Sequence, residues 1–334
     1  MPKISHIKFF KNISKSDVDI AGGKGASLGE MTQAKIPVLN GFVVLAAAFD
    51  RFLEETQLKE EIAARLAEVD PEDTNTVDKA SNVIRDAIHD RPMPKDLEKE
   101  ILSAFSELDA KYVAVRSSAT AEDSSVASWA GELESYLNTD KKNLIERVRR
   151  CWSSLFTPRA IFYRHEKGLI DHYVSVAVVV QKMVQSEISG IAFTVHPVTE
   201  DRDQMIIEAG YGLGEAIVSG QITPDSYVIS KSSMEIIDTY VSSQTRQLIH
   251  KKTAKSKGDE ENSSNEWIEL GEKGEKQKIS NKTVLALAKV FKRIEDHYKF
   301  PCDIEWAMEK GKIYITQSRP ITTCNGSRHL AHIS

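Results

Sequence analysis

The sequence predicts a mixed helix-and-strand protein, either one large two-lobed domain or two to three small ones, since 334 residues leave ample chain to bury a core. Three stretches carry that reading. Between about 46 and 108 apolar residues recur at helical spacing, Phe49, Phe52 and Leu53 being followed by Leu58, Ile62 and Leu66. Val174 to Val180 is a nearly unbroken β-branched run, the pattern of a strand buried on both faces. Near the C-terminus, Asp303 to Met308 and Ile313 to Pro320 alternate polar and apolar residues around Glu309-Lys310-Gly311-Lys312, which reads as a hairpin.

Composition narrows the class. An apolar content of 41 % with 28 % charged residues is that of a soluble globular protein. The net charge of −5 gives no reason to expect nucleic acid or an anionic membrane as a partner. No apolar run approaches a membrane span, and Met1-Pro2-Lys3-Ile4-Ser5-His6 lacks a signal-peptide core. Cys151, Cys302 and Cys324 form no CxxC pair, which fits a reducing compartment, so a cytoplasmic location is expected.

In chain order, the first signal is Ala21-Gly22-Gly23-Lys24-Gly25-Ala26-Ser27-Leu28-Gly29-Glu30-Met31. Glycines let backbone approach an anion, and a helix beginning near Lys24 would turn its free N–H groups the same way, with Leu28 and Met31 on its buried side. It is no Walker A loop: Val18 stands where the first glycine belongs, and Gly25 where Ser or Thr should follow the lysine. A plain glycine-rich turn into a helix is the alternative. Ile36 to Leu45 then reads as a turn and a buried strand. The helical stretch that follows is broken at Asp70-Pro71-Glu72-Asp73 and again at Arg91-Pro92-Met93-Pro94, and carries no visible chemistry.

A strand, Tyr112 to Val115, delivers Arg116 at its end, followed by Ser117-Ser118-Ala119-Thr120-Ala121-Glu122-Asp123 and, after more small residues, Gly131. This is either a mobile loop over phosphates or a Ser/Ala-rich surface loop. A second strand is expected at Tyr136-Leu137-Asn138. Residues 144–168 are helical, with Trp152 in the core, Pro158 in a first turn and Gly168 as a stop. The β-branched run leads into Gln181-Lys182-Met183-Val184-Gln185-Ser186-Glu187, where apolar residues leaving a buried strand can sandwich a planar base while the backbone reads its edge. Ser189 to Thr194 is the returning strand. The series from Gly210 to Gly220 fails the dinucleotide fingerprint because Glu215 takes the third glycine position, leaving a loop into a helix with Glu215 near its start. Residues 251–278 read as a solvated linker or excursion. A last helix (Val284, Leu287, Val290, Phe291, Ile294, His297) returns the chain to the hairpin.

In that hairpin, an odd-length Lys310-Gly311-Lys312 loop places Glu305 directly opposite Gln317, with Arg319 two residues on along the same face. A carboxylate beside an amide oxygen can hold a hard cation such as Mg²⁺, which relies on substrate phosphates for other ligands. A neighbouring guanidinium can grip a phosphoryl group bidentately. Ordinary cross-strand polar pairs on a solvated hairpin are the alternative.

Taken together, the Gly22–Met31 and Val115–Asp123 segments, Cys151-Trp152-Ser153-Ser154-Leu155-Phe156-Thr157-Pro158-Arg159-Ala160, Val179 to Val184, Gly212-Leu213-Gly214-Glu215, Asp303-Ile304-Glu305-Trp306 and Gln317-Ser318-Arg319-Pro320 resemble the nucleotide-binding domain of phosphoenolpyruvate synthase (pyruvate, water dikinase). Pyruvate phosphate dikinase and rifampin phosphotransferase share that domain. The match runs in the family's order from about residue 20 to 322. The resemblance implies an α+β, ATP-grasp fold whose two lobes hold the nucleotide between them: an N-terminal lobe over 1–170, a C-terminal lobe over 171–323 and an unstructured tail over 324–334. It implies ATP and Mg²⁺ as cofactors. Lys24 and Arg116 would contact the phosphates and Arg319 the terminal ones, while Glu305 and Gln317 ligate the metal. Gln181, Met183 and Val184 would form the adenine hinge, Glu187 would take the ribose hydroxyls, Gly131 would belong to a closing loop, and Glu215 would give polar support near phosphates or ribose. These roles agree with what phosphoryl transfer demands, which is positioning and charge neutralisation.

The family's reaction moves the β-phosphoryl of ATP to a histidine on a swivelling domain, which then phosphorylates pyruvate in a barrel. None of the nine histidines here lies in anything like the family's Thr-x-His-Ala context; His196 precedes a proline and His297 sits in the last helix. The resemblance therefore implies a phosphohistidine domain and a pyruvate-binding barrel as partners, in trans or in a longer parent chain. An antibiotic phosphotransferase and a stand-alone, non-catalytic nucleotide-binding module are the other readings.

Overall fold

A computed structural model of the chain describes residues 5–120, 133–169, 174–251 and 265–321. These fall into two compact units, one formed by Met1–Gln33 with Asn40–Met183 and the other by Ala34–Leu39 with Val184–Ser334.

The first unit carries β1 (Ile7–Phe9), α1 (Val18–Gln33), β2 (Gly41–Val44), α2 (Ala46–Glu55), α3 (Leu58–Ala67), α4 (Thr74–Asp90), α5 (Lys95–Leu108), β3 (Val113–Ala119), β4 (Ser135–Thr139), α6 (Leu144–Ser153), α7 (Pro158–Glu166) and β5 (Val176–Lys182). The strands pair antiparallel in the order β1-β2-β5-β3-β4. The breaks at 70–73 and 91–94 fall where the sequence places them, and a third, at Thr56-Gln57, separates α2 from α3. Asp73 caps α4 by accepting from the Asn75 N–H, and Thr157 caps α7 ahead of Pro158 at its first position. One sheet face is the main core. Phe42, Val44, Val113, Val115, Val176, Val178 and Val180 pack against α2 to α6, where Trp152 lies against Phe49 and Phe52 with ring centroids 5.5 and 5.1 Å away. By strand alternation, Val43, Ala114, Arg116, Ser118, Val179 and Gln181 face the other way, toward α1.

Two expectations shift here. Strand β3 runs past Val115 to Ala119, so Arg116 sits within the strand, opposite Val179 on one side and Ser135 on the other. Among these small residues Ser118 faces α1 and lets Gly22 approach this strand. The expected division at 170/171 falls inside the first unit, because β5 lies between β2 and β3 in the first sheet and the chain changes unit only after Met183.

The second unit carries β6 (Ile188–Phe193), β7 (Gln204–Tyr211), α8 (Glu215–Val218), β8 (Asp225–Ser230), β9 (Glu235–Tyr240), β10 (Arg246–His250), β11 (Asn265–Glu269), α9 (Asn281–Tyr298), β12 (Cys302–Glu309) and β13 (Lys312–Pro320). Six strands pair antiparallel in the order β13-β12-β6-β7-β8-β9, and β10 pairs with β11 separately. Helix α9 buries Val284, Leu287, Ala288, Phe291 and Ile294, and Ser280 caps it by accepting from the Thr283 N–H. The short segment before β2 joins this unit: Val38 bridges Ile315, whose N–H donates to the Pro37 carbonyl at 2.8 Å. Residues 265–278 are an excursion with structure of its own, largely exposed, and not a linker. They form β11, a 3₁₀ turn and the fully buried Lys278, whose ammonium lies 2.9 Å from Asp225. Among the described residues no helix is long and apolar enough to cross a membrane.

Candidate functional site

In the first unit the glycine-rich segment is two helical stretches joined at Gly22, which takes φ +69° and ψ 170°. A new helical run thus starts at Gly23-Lys24, as the sequence predicts. Strand β3 holds that joint. The Ser118 hydroxyl donates to the Ala21 carbonyl at 3.0 Å and accepts from the Gly25 N–H at 3.2 Å. A Cβ on Gly22 would lie 2.2 Å from that hydroxyl oxygen and 2.3 Å from the Ser118 carbonyl oxygen, so only glycine fits. Arg116 is two residues from Ser118 on the same strand face, and Gln181 lies on that face of neighbouring β5. Lys24, Arg116 and Gln181 are therefore brought to one side of one sheet. Lys24 and Arg116 are half-buried and Gln181 is buried. Gly131 lies outside the described residues.

The expected base-binding stretch crosses between units: Gln181 and Met183 belong to the first, Val184 and Glu187 to the second. The Met183 N–H donates to the Tyr112 carbonyl at 3.1 Å, while Val184 is buried. Glu187 is exposed at its side chain but held at both backbone groups, its N–H donating to the Met308 carbonyl at 2.9 Å and its carbonyl accepting from the Gly212 N–H at 3.0 Å. Glu215 opens α8, as the sequence predicts, and its carboxylate accepts from the Asn265 side-chain amide at 3.0 Å.

In the second unit the hairpin places Glu305 opposite Gln317 and Asp303 opposite Arg319. The route differs from the odd-length loop expected. Glu309 pairs with Lys312 across a two-residue turn in which Lys310 and Gly311 both take positive φ, and a bulge beside Trp306 restores the offset. In the sequence Asp303 stands out only as the first residue of Asp303-Ile304-Glu305-Trp306. It accepts from Arg319 Nε at 2.8 Å, with Nη2 2.6 Å from the same oxygen, which fixes the guanidinium on the strand. On β7, burial pushes the Glu208 carboxyl above its ordinary range, and the charge of Asp303 adds to the shift. Glu208 stands between the buried Ile207 and Ala209 in β7, where no motif of the sequence points to it.

Two oxygen-bearing side chains alone do not saturate a divalent cation, and among the described residues no group of three or more His, Cys, Asp or Glu could hold one. The Glu305–Gln317 pair fits Mg²⁺ that takes its remaining oxygens from phosphate and water.

Residues 18–332 match the family described as pyruvate phosphate dikinase, AMP/ATP-binding domain. A protein described as a probable phosphoenolpyruvate synthase from Methanocaldococcus jannaschii is 44% identical over 326 residues, which cover 95% of this chain and 27% of the relative. A probable phosphoenolpyruvate synthase from Archaeoglobus fulgidus is 46% identical over 326 residues, covering 95% of this chain and 42% of the relative. The phosphoenolpyruvate synthase of Pyrococcus furiosus is 39% identical over 368 residues, covering 95% and 44%. The chain thus spans less than half the length of these relatives. Among solved structures, D-alanine-D-alanine ligase from Helicobacter pylori covers 67% of this chain and 46% of its own at 11% identity and a TM-score of 0.29, too slight a likeness to bear on the fold.

Proposed function

The chain belongs to the family of the pyruvate phosphate dikinase AMP/ATP-binding domain, and from that premise we propose that it is the ATP-Mg²⁺ module of a phosphoenolpyruvate synthase (pyruvate, water dikinase) type phosphotransferase. On this reading the fold is of ATP-grasp type. The names carried by the relatives favour pyruvate over an antibiotic as the final acceptor. The observation that carries the reading is the Glu305–Gln317 pair beside an Arg319 already oriented by Asp303, an arrangement suited to a phosphate-bridged cation and its terminal phosphates.

Each residue then has one task. Lys24 and Arg116 neutralise and align the phosphates, Lys24 from the start of a helical run and Arg116 from the strand that anchors it. Arg319 holds the terminal phosphates. Gln181, Met183 and Val184 read and sandwich the adenine, Glu187 takes the ribose hydroxyls and Glu215 supports the same end. Mg²⁺, when bound by Glu305 and Gln317, supplies charge neutralisation between phosphoryl oxygens. The chain's own residues bind and orient ATP, and the β-phosphoryl passes to a histidine carried by a domain outside these residues while a water takes the γ-phosphoryl, so that AMP and phosphate leave.

The test supplies the purified chain with ATP, Mg²⁺ and a separate histidine-bearing domain taken from a relative. The expected result is AMP release dependent on that domain, with acid-labile phosphate on the domain and not on this chain. Stable phosphohistidine on His196, His297 or another histidine of this chain overturns the reading. So does AMP release that needs pyruvate but no added domain.

A further inference from the structure

Gln244 stands between β9 and β10, in a stretch to which the sequence assigns no chemistry, yet it is 2% exposed and all its amide atoms are engaged. Its Oε1 accepts from the Tyr211 N–H at 2.8 Å, and its Nε2 donates to the Tyr211 carbonyl at 2.9 Å and to the Arg246 carbonyl at 2.9 Å. A single side chain thereby pairs both backbone groups of the last residue of β7, as a neighbouring strand would.

The next residue is Gly212, at φ +95°, where a Cβ would stand 2.5 Å from the Leu248 carbonyl oxygen. Its N–H donates to the Glu187 carbonyl at 3.0 Å, and its carbonyl accepts from the Ser186 and Ser189 hydroxyls at 3.0 and 2.8 Å. Fixing the Tyr211 peptide thus fixes the Gly212 peptide, and that peptide holds the backbone of Glu187. Gln244 is itself held from behind. Its N–H donates to the Gly274 carbonyl at 3.1 Å, and that carbonyl also accepts from the buried Lys278 ammonium at 2.9 Å.

We infer that Gln244 is a positioning residue for nucleotide recognition, setting the Glu187 carboxylate against the ribose through the Tyr211–Gly212 peptide. The inference rests on the proposed contact of Glu187 with the ribose hydroxyls. An apolar side chain in the same space would leave the Tyr211 N–H and carbonyl unpaired, so the amide fixes where this peptide lies.

The test compares the dissociation constants of Mg-ATP and Mg-2′,3′-dideoxy-ATP by titration calorimetry on the full chain. The wild type is expected to prefer ATP by on the order of tenfold, the size of a hydrogen bond to a charged group. Glu187→Ala should bring the ratio to about one; a ratio that survives this change removes Glu187 from the ribose and takes the inference with it. With Glu187→Ala behaving as expected, Gln244→Met should also bring the ratio close to one while ATP binding still depends on Mg²⁺. A folded Gln244→Met protein with the wild-type ratio overturns the inference and leaves the ribose contact standing. Gln244→Glu, which keeps the size and the acceptor but loses both donations, serves if the methionine variant does not fold. Failure of both to fold marks Gln244 as a core residue only and also overturns the inference.

Discussion

Glu305 stands directly opposite Gln317 across the last hairpin, although the turn joining their strands holds two residues and not three. Beyond the turn, Trp306 pairs with Ile315 and Glu305 with Gln317, so Thr316 is the extra residue of a bulge. Without that bulge the tight turn would leave Thr316 facing Glu305, and a hydroxyl would replace the amide oxygen. Bulges re-aim side chains at functional sites, and this one brings the two oxygen donors together.

That pairing predicts metal-dependent nucleotide binding. Glu305→Gln and Gln317→Ala should each weaken Mg-ATP by at least roughly tenfold, the loss known for groups that only support a metal ligand. Affinity for ATP in chelator should change little. Calorimetric titrations with and without chelator check this, and equal losses in both would take the pair out of the metal site.

The joint at Gly22 predicts a large, localised cost. Gly22→Ala puts a methyl 2.2 Å from the Ser118 hydroxyl oxygen at φ +69°, so it carries both a left-handed backbone penalty and a clash. Together these come to about 2–5 kcal/mol. Gly168 has a similar φ of +63° but nothing within 4 Å of an added Cβ, so Gly168→Ala should cost only the backbone part, about 1–2 kcal/mol. Urea unfolding of the two variants separates the terms. Equal destabilisation would mean that the Ser118 contact does not constrain Lys24.

How legible these features were depended on how local they are. The helices between 46 and 108, their breaks at 70–73 and 91–94 and the caps of α4, α7 and α9 follow from 3.6-residue spacing and from Asp73, Thr157 and Ser280 at their starts, whereas the break at Thr56-Gln57 carries no proline or glycine to mark it. The hairpin was legible for the same reason. Ser117 and Ser118 misled because serine has little strand preference, and β3 continues through them because Ser118 bonds α1 on one face while Ser117 bonds the Cys151 carbonyl and Ser154 on the other. The change of unit after Met183 depends on β5 lying between β2 and β3, an order that no local pattern encodes. The motifs of the sequence point to Lys24, Arg116 and Gln181, which share one sheet face, and to Glu305, which stands opposite Gln317. Gln244 and Glu208 were missed because their roles arise from burial and from partners distant in the chain.

Glu208 predicts a pH effect whose sign follows from its raised value. Burial, reinforced by Asp303, disfavours the charged form in the folded state. Below the ordinary carboxyl value the group is protonated in both states and its contribution is fully present. As pH rises through the higher folded value that contribution is lost. Glu208→Gln lacks the titration. It should therefore melt above the wild type near neutral pH, and the difference should shrink toward about pH 4. Thermal melts across this range check it, and a gap that widens on acidification would reverse the assignment.

The last prediction concerns Asp225 and Lys278, both wholly buried and 2.9 Å apart. The Asp225 carboxylate also accepts from the Ser242 and Lys278 N–H groups at 3.0 and 2.8 Å and from the Tyr227 hydroxyl at 2.9 Å. The ammonium donates to the Ser242 and Gly274 carbonyls. Such a pair is a poor source of net stability, because both charges lose their hydration, but breaking it from one side strands the other charge. Lys278→Met should thus cost about 3–5 kcal/mol. Asp225→Asn in the same chain removes the stranded charge, and its amide oxygen can still accept from one of the two backbone N–H groups, which bond different carboxylate oxygens. The double variant should therefore be more stable than Lys278→Met alone, and a double-mutant cycle in urea measures the coupling. Additive losses would show that the two charges do not act as a pair. Because Gly274 links Lys278 to Gln244, Lys278→Met should also speed amide exchange at Tyr211 and Gly212 while leaving β12 and β13 protected. Uniformly faster exchange across the second unit would instead mark the pair as a support of the whole unit.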